Sequence, residues 1–230
     1  MADDARAAVL ARVRRALGRA GPLAGEPRAA VERRLAEPPP GIIPARAHGL
    51  ELEDRIRLFT AQAKAVAGDV RRLDRLAELP GAVAGYLRAH NLPRRVVMAP
   101  DLLLERAGGW GPAMVEVRRG AADPADEVGL AAAFAGVAET GTLMLVSGPD
   151  NPVLLGFLPE TSIVVLPAER LVGTYEEAWH WLRAAYGAAL PRSVNLITGP
   201  SRSGDIEQTL QLGAHGPRRL LTVIVDEPAS

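Results

Sequence analysis

The residues best suited to chemistry lie in one stretch, Val194 to Pro217, reading V-N-L-I-T-G-P-S-R-S-G-D-I-E-Q-T-L-Q-L-G-A-H-G-P. Arg202 carries a planar guanidinium, which grips a carboxylate or phosphate through two parallel hydrogen bonds. Ser201 and Ser203 flank it with hydroxyls, and Gly199-Pro200 breaks the chain direction just before them. Val194, Leu196 and Thr198 alternate with Asn195 and Ile197, which predicts a strand entering the loop; the amphipathic run from Asp205 to Leu212 predicts a short helix leaving it. The first N–H groups of a helix have no intrahelical partners and its macrodipole is positive there, so the loop is expected to hold a small anion. A structural reading stands beside this one: Ser201 or Ser203 caps the helix, and Arg202 is solvated or pairs with Asp205 or Glu207. The loop is neither a P-loop nor a dinucleotide-binding turn, because the lysine and the glycine spacing are missing.

Three other residues have proton-transfer chemistry. Glu139 stands in A-E-T-G-T, Ala138 to Thr142, among small and apolar neighbours. Desolvation there is expected to raise its pKa toward the working range of a general acid or base, with Thr140, Gly141 and Thr142 as adjoining ligand contacts. Alternatively, Glu139 is a buried carboxylate held by backbone N–H groups and threonine hydroxyls that pins the turn. Asp205, at the expected helix start, and His215, in the glycine-rich end of the stretch, could form an orienting dyad that takes a hydroxyl proton. A lone loop histidine is more often a surface hydrogen-bonder, and His48, His90 and His180 fit that description better still. The four histidines have no metal-ligand spacing, so no dedicated metal site is expected.

The block G-P-S-R-S-G-D-I-E-Q-T-L-Q-L-G-A-H-G-P, with A-E-T-G-T before it and L-P-A-E-R at Leu166 to Arg170, resembles the LUD-domain family in order and spacing, and within it the small lactate-utilisation subunit. The resemblance is strong from Val128 to Val225 and loose ahead of that. It implies a fold similar to ribose-phosphate isomerases, glucosamine-phosphate isomerases and CoA transferases. It also implies a part in oxidising L-lactate to pyruvate beside two iron–sulfur partner subunits. Two positions depart from the family pattern: Ser203-Gly204 replaces the commoner Thr-Ala, and Ser162 stands where a His is expected before an apolar strand. The glutamate nucleophile of CoA transferases is not carried over to Glu139, because their motif is absent.

The totals narrow the classes. A chain of 230 residues suits one large α/β domain with an arm. Lys+Arg and Asp+Glu are both 27, so no net field attracts nucleic acid or an acidic membrane, and neither is an expected partner. There is no cysteine, which excludes disulfides, a thiolate nucleophile and Cys-ligated clusters within the chain. Any iron–sulfur cluster is therefore assigned to a partner, and no cofactor is expected here. The acidic, Arg-studded start does not read as a secretory signal, and no apolar run reaches about 20 residues. The expected location is cytoplasmic.

The elements that must position these groups follow from periodicity. Val9, Leu10, Val13 and Leu17 mark an amphipathic arm from Asp4 to Arg19, and the proline-rich Gly21 to Gly49 reads as an extended linker. Residues 1–49 are thus set apart from a single α/β domain over 50–230. Within it, Leu52, Ile56, Phe59, Ala63 and Val66 form the buried stripe of a helix, followed by a strand near Val70, a helix from Asp74 to His90, and strands at Arg95 to Pro100 and Met114 to Arg118. Val128 to Val146 reads as a β-hairpin-like excursion, Pro152 to Leu158 as a short helix, and Ile163 to Leu166 as a buried strand. Thr174 and Glu177 form a capping box for a helix whose stripe is Ala178, Trp181, Leu182 and Ala185, with Trp179 and Trp181 as packing residues. Leu220 to Val225 is expected to close a mixed, mostly parallel sheet with helices on both faces. Glu139, Ser201, Arg202, Asp205 and His215 are then expected to line one polar cleft, with a lactate carboxylate on Arg202 and the loop amides. Two rival roles stay open: a stand-alone enzyme on a sugar phosphate or acyl-CoA using Glu139 as base or nucleophile, and a non-catalytic assembly subunit whose arm recruits partners.

Overall fold

The computed structural model describes residues 2–19, 21–39, 41–187, 189–203 and 211–228. The chain divides into two compact units, Met1–Ile42 and Ile43–Ser230.

The first unit holds α1 (Ala2–Ala16) and α2 (Gly25–Ala36). The arm is helical as its periodicity predicts, and Val9, Leu10 and Val13 on it are exposed. The stretch expected to be extended is not: α2 forms inside it. Pro27 falls in the first turn, where a missing N–H costs no hydrogen bond, and the Ala, Arg and Glu residues that follow are good helix formers. Arg28 and Glu32 pair at 2.7 Å one turn apart, a modest aid on a helix that has no buried residue.

The second unit contains, in chain order, α3 (Leu52–Ala65), β1 (Asp69–Leu73), α4 (Leu79–Ala89), β2 (Arg95–Met98), α5 (Leu102–Arg106), β3 (Glu116–Arg119), β4 (Val128–Ala132), β5 (Ala135–Val137), β6 (Thr142–Val146), β7 (Thr161–Pro167), β8 (Leu171–Val172), α6 (Tyr175–Tyr186), β9 (Val194–Ile197), β10 (Arg202–Ser203), β11 (Gln211–Leu212) and β12 (Arg219–Val225). Six strands form the main sheet in the order β1-β12-β7-β4-β2-β3, every pair parallel. A strand buried on both faces reads as one apolar run, and β7, TSIVVLP, is buried throughout. The final strand does not close the sheet; β12 inserts between β1 and β7.

Side-chain alternation along the central strands shows the helices on both faces. Ile163 and Val165 of β7, with Leu221, Val223 and Val225 of β12, pack with Leu79, Val83 and Leu87 of α4 and Leu104 of α5. Their neighbours Val164, Leu166, Leu220 and Ile224 point the other way and pack with Ile56, Phe59 and Ala63 of α3. α3 is tied down further by Arg72 of β1, which bonds Glu53 at 2.8 Å and Asp226 at 2.8 Å. The Arg72 guanidinium beside Glu53 holds that carboxyl below its ordinary range.

Among the described strands, antiparallel pairing falls in two smaller sheets. β5 and β6 form a hairpin within a four-strand sheet ordered β8-β5-β6-β9, and β10 pairs with β11. The segment expected to be one hairpin from Val128 to Val146 is therefore divided: β4 belongs to the main sheet, and only β5 and β6 fold back on each other. The capping box is present, with the Glu177 amide donating to the Thr174 hydroxyl and the Thr174 amide to the Glu177 carboxylate. The buried stripe of α6 is rotated from expectation. Ala178 and Leu182 are buried, whereas Trp181 is 36% exposed and Ala185 lies at the surface; Tyr175 and Trp179 pack in their place. Among the described residues no helix is long and apolar enough to cross a membrane.

Candidate functional site

Both glycine-rich blocks are built against the C-terminal end of α3. Gly141 joins β5 to β6 at φ 68°, and a Cβ there would stand 2.4 Å from the Ala63 amide nitrogen. Gly199 follows β9 at φ 72°, and its Cβ would stand 2.7 Å from the Val66 carbonyl. Positive φ and backbone contact together admit only glycine at these positions. Two loops distant in sequence are thereby pressed onto one helix end, some 58 residues apart in the chain by their numbers 141 and 199.

Glu139 is 5% exposed, at the end of the block expected to bury it. Its Oε1 accepts from the Tyr175 amide at 2.9 Å, and its own amide donates to the Gly173 carbonyl at 3.0 Å. Tyr175 opens α6, so the carboxylate occupies the positive end of that helix and satisfies one of its unpaired donors. The neighbouring Gly173 is covered by the turn Ala45–Ala47, whose Ala47 carbonyl would lie 2.7 Å from any added Cβ.

Beside the carboxylate runs a chain of hydroxyls. Thr140 donates to the Tyr175 phenol at 3.0 Å and meets Thr142 at 2.7 Å; Thr142, fully buried, meets Tyr175 at 2.8 Å and Thr198 at 2.6 Å. Four hydroxyls supply one proton each to four contacts, so the set closes as a cooperative network. Thr198 is exposed, which brings this buried network to the surface at the second block.

There the chain surrounds a cleft of about 300 Å³ lined by Thr198, Gly199, Ser201, Arg202 and His215, with Phe157 and Leu196 as apolar wall. The loop is stapled to the returning segment: the Ser201 amide donates to the Pro217 carbonyl at 2.8 Å, and the Gly213 amide to the Ser201 carbonyl at 2.9 Å. The Ser201 amide is therefore spent on the backbone and not free for an anion. Groups that face the cleft and can meet a ligand include the Thr198 and Ser201 hydroxyls, the exposed Arg202 guanidinium and the exposed His215 ring. None of the ion pairs formed among the described residues includes Arg202.

Of the residues expected to share one cleft, Ser201, Arg202 and His215 meet, with the expected ligand contact Gly199 beside them. Glu139, Thr140, Gly141 and Thr142 do not line that cleft; they lie behind it, joined through the Thr142–Thr198 contact. Asp205 lies outside the described residues, and so does most of the expected helix. Its last two positions are not helical, because Gln211 and Leu212 pair antiparallel with Ser203 and Arg202; the side chain of Ser203 is not described. Sequence reasoning passed over Tyr175 and Thr198 as site residues. Tyr175 directly follows the capping threonine and Thr198 directly precedes a glycine turn, positions that bring a side chain to the end of an element.

A model of the LUD domain matches residues 112–225. Lactate utilization protein C of Geobacillus kaustophilus is 34% identical over 120 residues, covering 51% of this chain and 50% of that protein. The protein of the same name from Bacillus subtilis is 37% identical over 93 residues, 40% of this chain and 39% of that protein. The matched part thus spans about half or less of the length of the curated relatives. A crystal structure of a DUF162 family protein from Deinococcus radiodurans shares the fold, with a TM-score of 0.60 at 21% identity, over 77% of this chain and 99% of that one. Residues 112–225, which carry both glycine blocks, the hydroxyl network and the cleft, belong to the LUD domain family.

Proposed function

We propose that this protein is a cluster-free, cytoplasmic component of an L-lactate oxidation system, and that it holds the small carboxylate in the cleft beside Arg202. The observation that supports this most directly is the convergence of Ser201, Arg202 and His215 on one opening, in a chain similar to proteins named for lactate utilization. Arg202 takes the carboxylate bidentately, the Ser201 hydroxyl fixes its orientation, and His215 accepts the proton of the substrate hydroxyl. Converting lactate to pyruvate breaks the hydroxyl O–H bond, whose proton goes to His215, and the Cα–H bond, whose hydrogen leaves together with the electron pair to an acceptor carried by a partner subunit. A chain without cysteine cannot ligate a cluster through thiolates, so the electrons are assigned to iron–sulfur partner subunits.

The test is a thermal-shift panel on the purified chain with L-lactate, D-lactate, pyruvate, phosphate, ribose 5-phosphate and acetyl-CoA, run beside Arg202→Ala. A ligand that binds only the folded state stabilises it by about 2.7 kcal/mol at a hundredfold excess over its dissociation constant. The expected outcome is a shift with lactate or pyruvate that vanishes in the variant. A shift with acetyl-CoA or ribose 5-phosphate alone replaces this reading with a stand-alone enzyme, and silence from every ligand replaces it with an assembly role.

A further inference from the structure

The main sheet has a second crevice that the proposed function leaves unused. In a parallel sheet, ligands settle at the C-terminal ends of two adjacent strands whose onward connections leave in opposite directions. β2 leads outward to the edge strand β3, while its neighbour β4 leads back through the hairpin to β7 on its other side. The reversal therefore falls between β2 and β4. A cavity of about 360 Å³ opens there, walled by Asp101 just after β2, by Ala132 to Phe134 at the end of β4, and by Asp150, Arg170 and Tyr186. It shares no lining residue with the Arg202 cleft.

The walls carry three complementary chemistries. Arg170 is half-buried, and among the described residues its side chain makes one long hydrogen bond, Nη1 to the Ala133 carbonyl at 3.5 Å. None of the ion pairs formed among the described residues includes it. A guanidinium with free donors in a partly desolvated crevice is a site for an anion, best a planar or tetrahedral oxyanion. Phe134 and Tyr186 meet with ring centroids 6.1 Å apart and planes inclined by 50°, which offers an aromatic wall for a planar ring. Asp101 uses Oδ1 to accept from the Leu103 amide at 2.8 Å, and Asp150 is exposed at the rim, so carboxylate oxygens are at hand for hydroxyl donors. An anion, a planar ring and a hydroxyl-bearing spacer are the three parts of a nucleotide, and the cavity is of a size that holds small-molecule ligands.

We propose that the crevice between β2 and β4 binds a nucleoside phosphate, with its phosphate on Arg170, its base against Phe134 and Tyr186, and its ribose hydroxyls on Asp101 or Asp150. This assignment is independent of where lactate binds. The experiment is isothermal titration of the full chain with AMP, GMP, UMP, adenosine, ribose 5-phosphate and inorganic phosphate, repeated on Arg170→Ala, Tyr186→Ala and Arg202→Ala. Tyr186 is surface-exposed, so its variant tests the ring wall without disturbing the core.

The expected result is binding of at least one nucleotide that weakens tenfold or more in Arg170→Ala and in Tyr186→Ala and is unchanged in Arg202→Ala. Three results overturn the proposal. One is no binding of any of the three nucleotides. Another is nucleotide binding lost in Arg202→Ala and kept in Arg170→Ala, which places the phosphate in the other cleft. The third is phosphate or ribose 5-phosphate binding as tightly as the nucleotides, which leaves the aromatic wall without a role. Should lactate fail to bind while the nucleotide does so through Arg170, the proposed function falls and this site stands.

Discussion

Gly141 and Gly199 press positive-φ turns onto the same helix end, at Ala63 and Val66, yet the side chains beside them have opposite fates. Next to Gly141 the chemistry is enclosed: Glu139 is bonded to the start of α6, Thr142 is fully buried, and Tyr175 ties the hydroxyls together. Around Gly199 it is open: Thr198, Arg202 and His215 are all exposed around a cleft. The same local device, a glycine forced against a helix backbone, thus anchors a scaffold in one place and presents a site in the other. What separates them is the neighbour. The first block is tied to the start of α6, whereas the second faces the cleft.

The sharpest way to break this comparison is to take the glycines away. Gly141→Ala places a methyl 2.4 Å from the Ala63 nitrogen at a left-handed φ, so either the turn or α3 must shift. A loss of about 3–5 kcal/mol is expected in urea denaturation, in the range of backbone strain plus overpacking. Gly199→Ala is expected to cost nearly as much. Gly49→Ala, also at positive φ but with nothing within 4 Å of the new carbon, is expected to cost only about 1 kcal/mol. Equal losses at all three positions would show that φ alone, and not the contact with α3, makes the glycines necessary.

Glu139→Gln comes next in size. A glutamine can still accept from the Tyr175 amide, but it brings an NH2 into a buried position and removes the charge from the helix start. A loss of about 1–3 kcal/mol is expected from the unsatisfied donor and the weaker bond. An unchanged melting temperature with abolished lactate-oxidising turnover in the assembled system would reverse the assignment and make Glu139 part of the chemistry.

Arg202→Ala is the counterpart in the open block. An exposed side chain outside any described ion pair contributes little to folding, so stability is expected to stay within about 0.5 kcal/mol while ligand-induced stabilisation disappears. The contrast between the two variants is the practical test of scaffold against site: one moves the melting temperature and the other moves only its response to ligand. A large loss of stability in Arg202→Ala would erase the distinction.

How much of this was legible depended on how local the cause was. The Thr174–Glu177 capping box is a reciprocal pair three residues apart, and the apolar runs of β7 and β12 state their burial directly. The helix α2 was hidden because prolines around it read as a linker, although the only one inside lies in its first turn. Trp181 looked like core by size, but the helix is rotated so that its neighbours Ala178 and Leu182 face inward. The cleft could be anticipated from Ser201, Arg202 and His215, which belong to one stretch. The exclusion of Glu139 from it could not, because that depends on Tyr175, 36 residues further on. The segment after Arg202 has helical periodicity, yet strand pairing to Leu212 prevails at its end, a tertiary choice that periodicity does not carry.

The smallest expected effect tests the link between the two regions. Thr142 and Thr198, 56 residues apart, meet at 2.6 Å and join the enclosed hydroxyls to the cleft. Thr198→Val keeps the shape of the exposed side chain and removes its hydroxyl, so by itself it is expected to cost about 0.5–1 kcal/mol. Tyr175→Phe removes a hydroxyl that touches Thr142 and Thr140 but not Thr198. If the network is cooperative, deleting Tyr175 reorients the Thr142 proton and changes what the Thr198 bond is worth, so the double variant should deviate from additivity by about 0.5 kcal/mol or more. Strict additivity would mean that the two blocks are neighbours on α3 and nothing else. A measurable coupling would mean that occupancy of the open cleft at Thr198 is felt at the buried carboxylate's helix, and the same cycle repeated with lactate bound would show whether the ligand strengthens or relieves it.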